Sequence, residues 1–512
     1  MNYLIGVDIG TQGTKAVMIN AQGKIIATSY KGYDVIQPQP LWAEQWPDVW
    51  LDAAYNTIKT VIEKGKINAK MIKGITISSL YGGSGIPVDK EINPLAPCLI
   101  WLDRRAEGEV NWVKENINLE ELYEITGNTV DSYYGFTKML WIKNNWPEVW
   151  KKINLFLPPN SYVIYSLTGE IAIDYSSAGN IGGIFNLKER KWSTKMLNQL
   201  NIPLKYQPQK IVASQEVVGK INRKASEKTG LKVGTSVIAG GVDAAVATLS
   251  AGAFKKGNHV AMIGTSMCWG FITEKTNISS KLVSMPHVID PLNKVYSFGG
   301  AATAGAVVRW FRDIFGSQEL EVENKLNIDA YNLLELEAKD IPAGSEGLLV
   351  LPYFMGERSP IWDSNARGTI LGLSLYHTKG HLYKAFMEGV AYALRHNMDT
   401  ITSTDIKLDN EVIMVGGATK SLVWPQIFAD VTGYPIKIIK DNVEAPLGDA
   451  LLAGLGTGVI NNPEVLAEWL EYEKVIKPNF KNKELYDKYF EEYKKVYLNL
   501  KDNMKAINLA KK

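Results

Sequence analysis

Short apolar runs separated by turns open the chain. Tyr3–Ile9 is apolar apart from Asp8, Thr14–Ile19 alternates in part, and Ile25–Ser29 follows the turn Asn20-Ala-Gln-Gly23. Runs of this length bounded by turn residues predict three strands. The Gly/Thr-rich turn Gly10-Thr-Gln-Gly13 joins the first two. Helical patterns then alternate with apolar runs: Trp50–Lys64 predicts a helix and Gly74–Leu80 (GITISSL) a strand. That alternation marks an α/β protein. After Pro478 the tail is helical, with Tyr486, Tyr489, Phe490, Tyr493 and Tyr497 on one face. An aromatic stripe at this spacing predicts a packing face against the second half of the chain rather than a partner-binding helix.

The pattern also repeats. Tyr3–Val17 (YLIGVDIGTQGTKAV) is echoed by His259–Ile272 (HVAMIGTSMCWGFI): an apolar strand, Gly-Thr, small or polar residues, then a second apolar run. At 512 residues the chain is too long for one compact core. The echo falls where a second half would begin, so two domains are expected, 1–250 and 251–512, with the boundary near Leu249–Lys256.

Composition narrows the function classes. With 56 basic and 54 acidic residues the formal charge is +2, which offers no electrostatic footprint for nucleic acid. Two cysteines, Cys98 and Cys268, and five scattered histidines form no metal-ligand spacing. The N-terminus reads as a strand rather than a signal peptide. The most apolar long stretch, Val237–Phe254, contains Asp243 and many small residues, so it reads as a buried strand and helix rather than a membrane span. These features predict a soluble cytoplasmic protein with no membrane partner.

Two segments carry candidate chemistry. In Asp8-Ile-Gly10-Thr11-Gln-Gly13-Thr14-Lys15 a carboxylate ends a strand beside a glycine-rich turn. Glycine lets backbone N–H groups approach phosphate oxygens, threonine adds a hydroxyl, and aspartate can hold hydrated Mg²⁺. A tight hairpin needing glycine for positive φ, capped by Asp8, accounts for the same residues. There is no G-x-x-x-x-G-K-[ST], since Gly416-Gly-Ala-Thr-Lys-Ser421 lacks the spacing, and no G-x-G-x-x-G follows the first strand. In Gly240-Gly-Val-Asp243-Ala-Ala245 the acid follows an apolar run and precedes a small-residue helix. Asp243 is either a helix N-cap or a base that accepts a proton from a substrate hydroxyl.

Together these pieces resemble the FGGY carbohydrate kinases, the group of xylulokinases, glycerol kinases, gluconate kinases and ribulokinases. Ten pieces from Tyr3 to Ile460 come in the family's order. They include Trp42-Ala-Glu-Gln45, Trp101-Leu-Asp-Arg-Arg105, Leu157–Glu170, Gly264-Thr-Ser266, Gly356-Glu-Arg-Ser-Pro360, Gly368–Gly389 and Glu444-Ala-Pro-Leu-Gly448. The resemblance implies two ribonuclease H-like domains of the actin and hexokinase type with ATP and substrate in an interdomain cleft. It implies that Asp8 organises Mg²⁺ and that Asp243 is the general base. Gly10, Thr11, Gly13, Thr14 and Lys15 would serve ATP from the first domain, and Gly264, Thr265, Gly305 and Arg309 from the second. Gly417, Ala418 and Ser421 match the adenosine loop.

On the acceptor side the sequence leaves its relatives. Xylulokinases carry Met-His and glycerol kinases Arg-Glu where this chain has Tyr81-Gly82, and Ala244 replaces their Asn or Gln. Tyr133 matches a family position that touches substrate, and Asp103 is either a pocket residue or half of a structural ion pair. A small sugar, with the ketopentose D-xylulose first, is the expected substrate. Glycerol, gluconate or another pentulose or polyol is the alternative within the fold, and an actin-like ATPase the alternative outside it. A homodimer is one assembly to test.

Overall fold

The structure is a computed structural model describing residues 2–440 and 444–510. It packs as two compact units. The first comprises Met1–Lys256, Ile272–Ser297 and Val443–Leu470; the second comprises Gly257–Phe271, Phe298–Asn442 and Glu471–Lys512. The first crossing falls close to the expected boundary. The two late segments that return to the first unit do not follow the contiguous division 1–250 and 251–512.

In the first unit, β1 (Tyr3–Ile9), β2 (Gly13–Asn20), β3 (Ile25–Gly32), β4 (Ile72–Ser79), β5 (Val217–Lys220) and β6 (Ser236–Ile238) form one sheet, ordered β3-β2-β1-β4-β6-β5. The first three strands meander antiparallel, whereas β4 runs parallel to β1 and β6 parallel to β4. Leu4, Ile5, Val7, Ile9, Ile75 and Ile77 are fully buried. That is why β1 reads as an apolar run apart from Asp8: a strand covered on both faces has no polar side to alternate with. The helix Pro47–Gly65 packs on β2 and β3, and the helix Ala445–Thr457 packs on β1 and β4. The second contact is close. A Cβ on Gly6 would stand 1.9 Å from the carbonyl oxygen of Pro446, so β1 admits only glycine there.

The second unit repeats the plan. A hairpin of β7 (His259–Ile263) and β8 (Met267–Thr273) pairs antiparallel, β7 runs parallel to β9 (Val412–Val415), and β9 parallel to β10 (Ile436–Ile439); β11 (Tyr472–Ile476) closes this edge antiparallel. In both units the first strand of a glycine-turned hairpin lies beside a later parallel strand, which is the physical content of the sequence echo.

The tail forms the helix Phe480–Leu509 with Tyr486, Phe490, Tyr493 and Tyr497 buried. The Tyr486 hydroxyl donates to Glu388 Oε1 at 2.7 Å, and the Tyr353 and Tyr493 hydroxyls meet at 2.8 Å. The stripe is a packing face of the second unit. The apolar stretch after Val237 becomes the end of β6 and the helix Asp243–Ser250. No described helix is long and apolar enough to cross a membrane.

Candidate active site

In the first unit the candidate residues gather where β1 and β4 end. Strand register puts Asp8 opposite Lys15 on β2 and opposite Ser78 on β4. The Gly10–Gly13 turn closes by a Gly10 N–H bond to the Gly13 carbonyl at 3.0 Å. Neither Gly10 nor Gly13 has positive φ, so the hairpin reading based on left-handed glycines does not describe this turn. Gly13 is instead a close-approach position, since a Cβ there would stand 2.3 Å from the Tyr30 ring. The Tyr33 hydroxyl donates to the Gly10 carbonyl at 2.7 Å, and the Trp101 indole N–H donates to Thr11 Oγ1 at 2.9 Å.

Two expected phosphate contacts are engaged elsewhere. Thr14 is fully buried with its hydroxyl 3.2 Å from that of Tyr33, because its side chain falls on the inner face of β2. Lys15 Nζ pairs with Glu444 Oε2 at 2.6 Å.

Ser78 joins two carboxyls, with its Oγ 3.2 Å from Asp8 Oδ1 and 2.5 Å from Asp449 Oδ2. One hydroxyl has one proton to donate. Both contacts are therefore satisfied when one of the two carboxyls is protonated and donates to Ser78, which in turn donates to the other. Burial pushes the Asp449 carboxyl well up, in the same sense. Burial, and then the charge of Asp243, push Asp8 up to about 8. Neither Ser78 nor Asp449 stood out in the sequence. The signals were a polar residue at the end of an apolar strand and an acid directly after the Glu444–Gly448 motif.

Asp243 is the first residue of its helix, and Val242 rather than Asp243 occupies the N-cap. Asp243 Oδ1 accepts the Ala244 N–H at 2.7 Å, and the carboxyl is half-buried. Gly240, at φ +71°, sets its entry, because a Cβ there would stand 1.9 Å from the Ile77 carbonyl oxygen. Ser79 N–H bonds the Gly241 carbonyl at 3.1 Å, tying this turn to the end of β4.

Of the expected acceptor contacts, Tyr81 is buried and Asp103 is engaged elsewhere. Tyr81, past the end of β4, is 4% exposed and its buried hydroxyl has no hydrogen-bond partner among the described residues. Asp103 is fully buried. Its Oδ2 accepts the Ala43 N–H at 2.6 Å and its Oδ1 the Arg105 N–H at 3.0 Å, with the Arg105 guanidinium on both oxygens. Arg105 also pairs with Glu44 at 2.7 Å and lies 3.8 Å from the centre of the Trp42 ring. Asp103 and the Trp42–Gln45 piece thus build one structural ion-pair site. Gly82, at φ +84°, lies against Tyr133, whose ring a Cβ would meet at 2.7 Å. The Tyr133 hydroxyl donates to Asn180 Oδ1 at 3.3 Å.

The second unit holds a cavity of about 620 Å³, within the size range of small-molecule sites. Gly264, Thr265, Gly305 and Arg309 line it, and so do Gly417, Ala418 and Ser421. Every candidate nucleotide residue of the second half therefore faces one space. The β7–β8 turn docks on the helix Gly305–Phe315 through Gly305 N–H to the Gly264 carbonyl (2.8 Å) and Ala306 N–H to the Thr265 carbonyl (3.0 Å). Arg309 Nη2 donates to Thr265 Oγ1 at 3.2 Å. Sequence reading missed Asn332, Tyr331 and Glu335 on the far wall. Glu335 Oε2 accepts the Leu422 N–H at 2.8 Å and so fixes the chain just after Ser421. These residues lie on a helix with no motif to mark it.

Models of the two FGGY carbohydrate kinase domains match residues 3–250 (N-terminal domain) and 259–457 (C-terminal domain). The chain belongs to the FGGY family of carbohydrate kinases. It is 30% identical to the xylulose kinase of Bacillus subtilis over the full length of both chains. It is also 30% identical to the gluconokinase of the same organism, over 92% of this chain and 90% of the other. Among solved structures it resembles ligand-bound xylulose kinase from Lactobacillus acidophilus (TM-score 0.89, 28% identity, 98% of each chain). Gluconate kinase from the same organism matches similarly (TM-score 0.90, 27% identity, 99% of each chain). The fold is the ribonuclease H-like fold of these sugar kinases, and kinases of this family use ATP.

Proposed function

We propose that this FGGY kinase transfers the γ-phosphate of ATP to a hydroxyl of a neutral ketopentose, D-xylulose first. The state of the cations around the acceptor-side residues Gly82 and Tyr133 supports a neutral sugar over gluconate. Arg104 pairs with Asp131, Arg105 with Asp103 and Glu44, and the buried Lys138 gives its three donors to backbone carbonyls. A carboxylate substrate would need a cation of its own, and each of these is already engaged. The cavity of the second unit takes ATP, with Thr265 and Arg309 toward the phosphates and Gly417, Ala418 and Ser421 toward the adenosine.

Phosphoryl transfer asks a protein for alignment, charge neutralisation and a base. Asp243 is the base, a half-buried carboxylate held at the start of a helix by its own bond to Ala244 N–H, and it accepts the proton of the attacking hydroxyl. Asp8 is the Mg²⁺ residue. Among the described residues no group of three His, Cys, Asp or Glu side chains could hold a metal unaided. Mg²⁺ commonly binds through one or two carboxylates plus substrate phosphates, and a half-buried carboxyl destabilised by a neighbouring acid fits that use. When bound, the cation would neutralise charge on the transferring phosphate. Thr11, fixed by Trp101, presents its turn to the phosphates.

A sugar panel scored by ADP release and by product mass tests the reading. D-xylulose should be phosphorylated faster than gluconate or glycerol, and the reverse order overturns the acceptor argument. Asp243→Asn should lower kcat by about 10²–10⁴-fold or more, the usual contribution of a general base, with the ATP Kd unchanged. Normal kcat in that variant would refute the assignment.

A further inference from the structure

Lys138, on the helix Gly135–Asn145, is fully buried, and the reaction above makes no use of it. Its ammonium donates to the carbonyls of Gly82 at 2.9 Å, Tyr133 at 2.7 Å and Ser132 at 2.5 Å. An ammonium has three N–H donors and no acceptor, so the three carbonyls use it completely. A neutral amine would turn a lone pair toward one of them. Asp103 and Asp131 favour the charged form, while burial first and then Arg104 oppose it, bringing Lys138 down to about 7. Burying an ammonium is costly unless its hydrogen bonds are all made, and an apolar side chain would fill the same space without that cost.

The three acceptors belong to two separate turns. Gly82 sits in the turn after β4, and Ser132 and Tyr133 lie just before the lysine's own helix. On its outer side the second turn is also fixed, because Asp131 Oδ1 accepts the Tyr133 N–H at 2.7 Å and pairs with Arg104. Gly82 lies against the Tyr133 ring. The lysine therefore sets the spacing between Gly82 and Tyr133 from beneath, out of reach of solvent.

We propose that Lys138 is a positioning residue for the sugar acceptor, holding the Gly82 turn and the Tyr133 turn in register through its three carbonyl bonds. This rests on the reading of Gly82 and Tyr133 as the acceptor side. The nucleotide cavity lies in the other unit, so the effect is confined to the sugar.

Lys138→Met removes the donors at similar length, and Lys138→Arg keeps charge and donors but is longer and planar. The second variant retains partners for the carbonyls if the first does not fold. In each, kcat/KM for the sugar should fall by about 10²-fold, the scale of a misplaced reacting group, with KM for ATP within twofold of wild type. Preference for the best sugar over its C3 epimer should narrow, which a general loss of stability would not produce. An unchanged sugar kcat/KM in either folded variant, or an equal loss in the ATP term, overturns the inference alone. Absence of any sugar-dependent ADP release by the wild type overturns the kinase reading and this inference with it.

Discussion

Gly6→Ala tests whether a late segment of the chain builds the first unit. The new Cβ would stand 1.9 Å from Pro446 O, 2.6 Å from Ala450 N and 2.8 Å from Asp449 Cβ. The nearest two atoms are backbone of the Ala445–Thr457 helix, so no rotamer relieves the overlap. Strand and helix must separate by about 1.5 Å, which thins the packing on both sides of the seam. Overpacking typically costs about 1–3 kcal/mol. With backbone on both sides the upper end applies, while the loss of glycine's freedom in the unfolded chain returns about 0.4–1 kcal/mol. A net loss of about 2 kcal/mol is expected, read by urea unfolding followed through the buried Trp50 of this unit. The helix also carries Asp449, and Glu444 lies at its start, so kcat should fall while ATP affinity holds. Gly108→Ala is the control. That exposed helical glycine has nothing within 4 Å of a built Cβ, and the change should stabilise by about 0.5–1 kcal/mol. A Gly6→Ala protein as stable and active as wild type would refute the close approach of β1 to this helix.

Other outcomes follow from single groups. Tyr81→Phe removes a buried hydroxyl that lacks a partner and should stabilise the first unit by about 1 kcal/mol with sugar KM within twofold; a tenfold rise in KM would return Tyr81 to the acceptor. Asp449→Asn keeps a neutral donor against Ser78 and should leave kcat within about threefold, whereas a collapse in turnover would show that Asp449 works as an anion. His259 is held near 4 by burial, and its Nδ1 faces the Trp269 indole N–H at 3.4 Å while Nε2 meets the Asp409 carbonyl at 3.0 Å. The folded state thus favours neutral imidazole, and its contribution is fully present above about pH 6.5. It is lost as pH falls from there toward 4, by about 1.4 kcal/mol per unit. The difference between wild-type and His259→Gln stability should show that slope, and a flat difference refutes it.

Local pattern carried the hairpins well. β1–β2 and β7–β8 are mainly apolar strand pairs joined by short glycine-bearing turns, so each hairpin partner lies close in sequence. The residues of the second half that line the cavity were picked out by the family resemblance, most of them in or beside glycine-bearing turns and Arg309 within the helix Gly305–Phe315. The acceptor side was less legible. Past the end of β4 no alternation says which way Tyr81 turns, and nothing local tells whether Asp103 will meet solvent or Arg105. The destination of Ala445–Thr457 was also hidden. It is apolar around most of its circumference, so its sequence does not say which sheet it covers. The close seats that decide the matter are glycines whose partners are distant, Gly6 on the strand and Gly448 on the helix. A Cβ at Gly448 would stand 2.6 Å from the Val246 carbonyl oxygen.

That returning helix has a consequence for synthesis. When translation has passed Lys256, every strand of the first unit's main sheet exists, yet the segment that covers β1 and β4 is nearly two hundred residues away. Domains usually fold as units during synthesis, N-terminal first. Here the nascent first unit must wait with Leu4, Gly6 and Gly74 uncovered while most of the second unit is made. An isolated 1–256 fragment should accordingly be insoluble or dependent on a chaperone, and adding a peptide spanning 444–470 in trans should rescue it. The order in which the chain is written is not the order in which this unit can be finished.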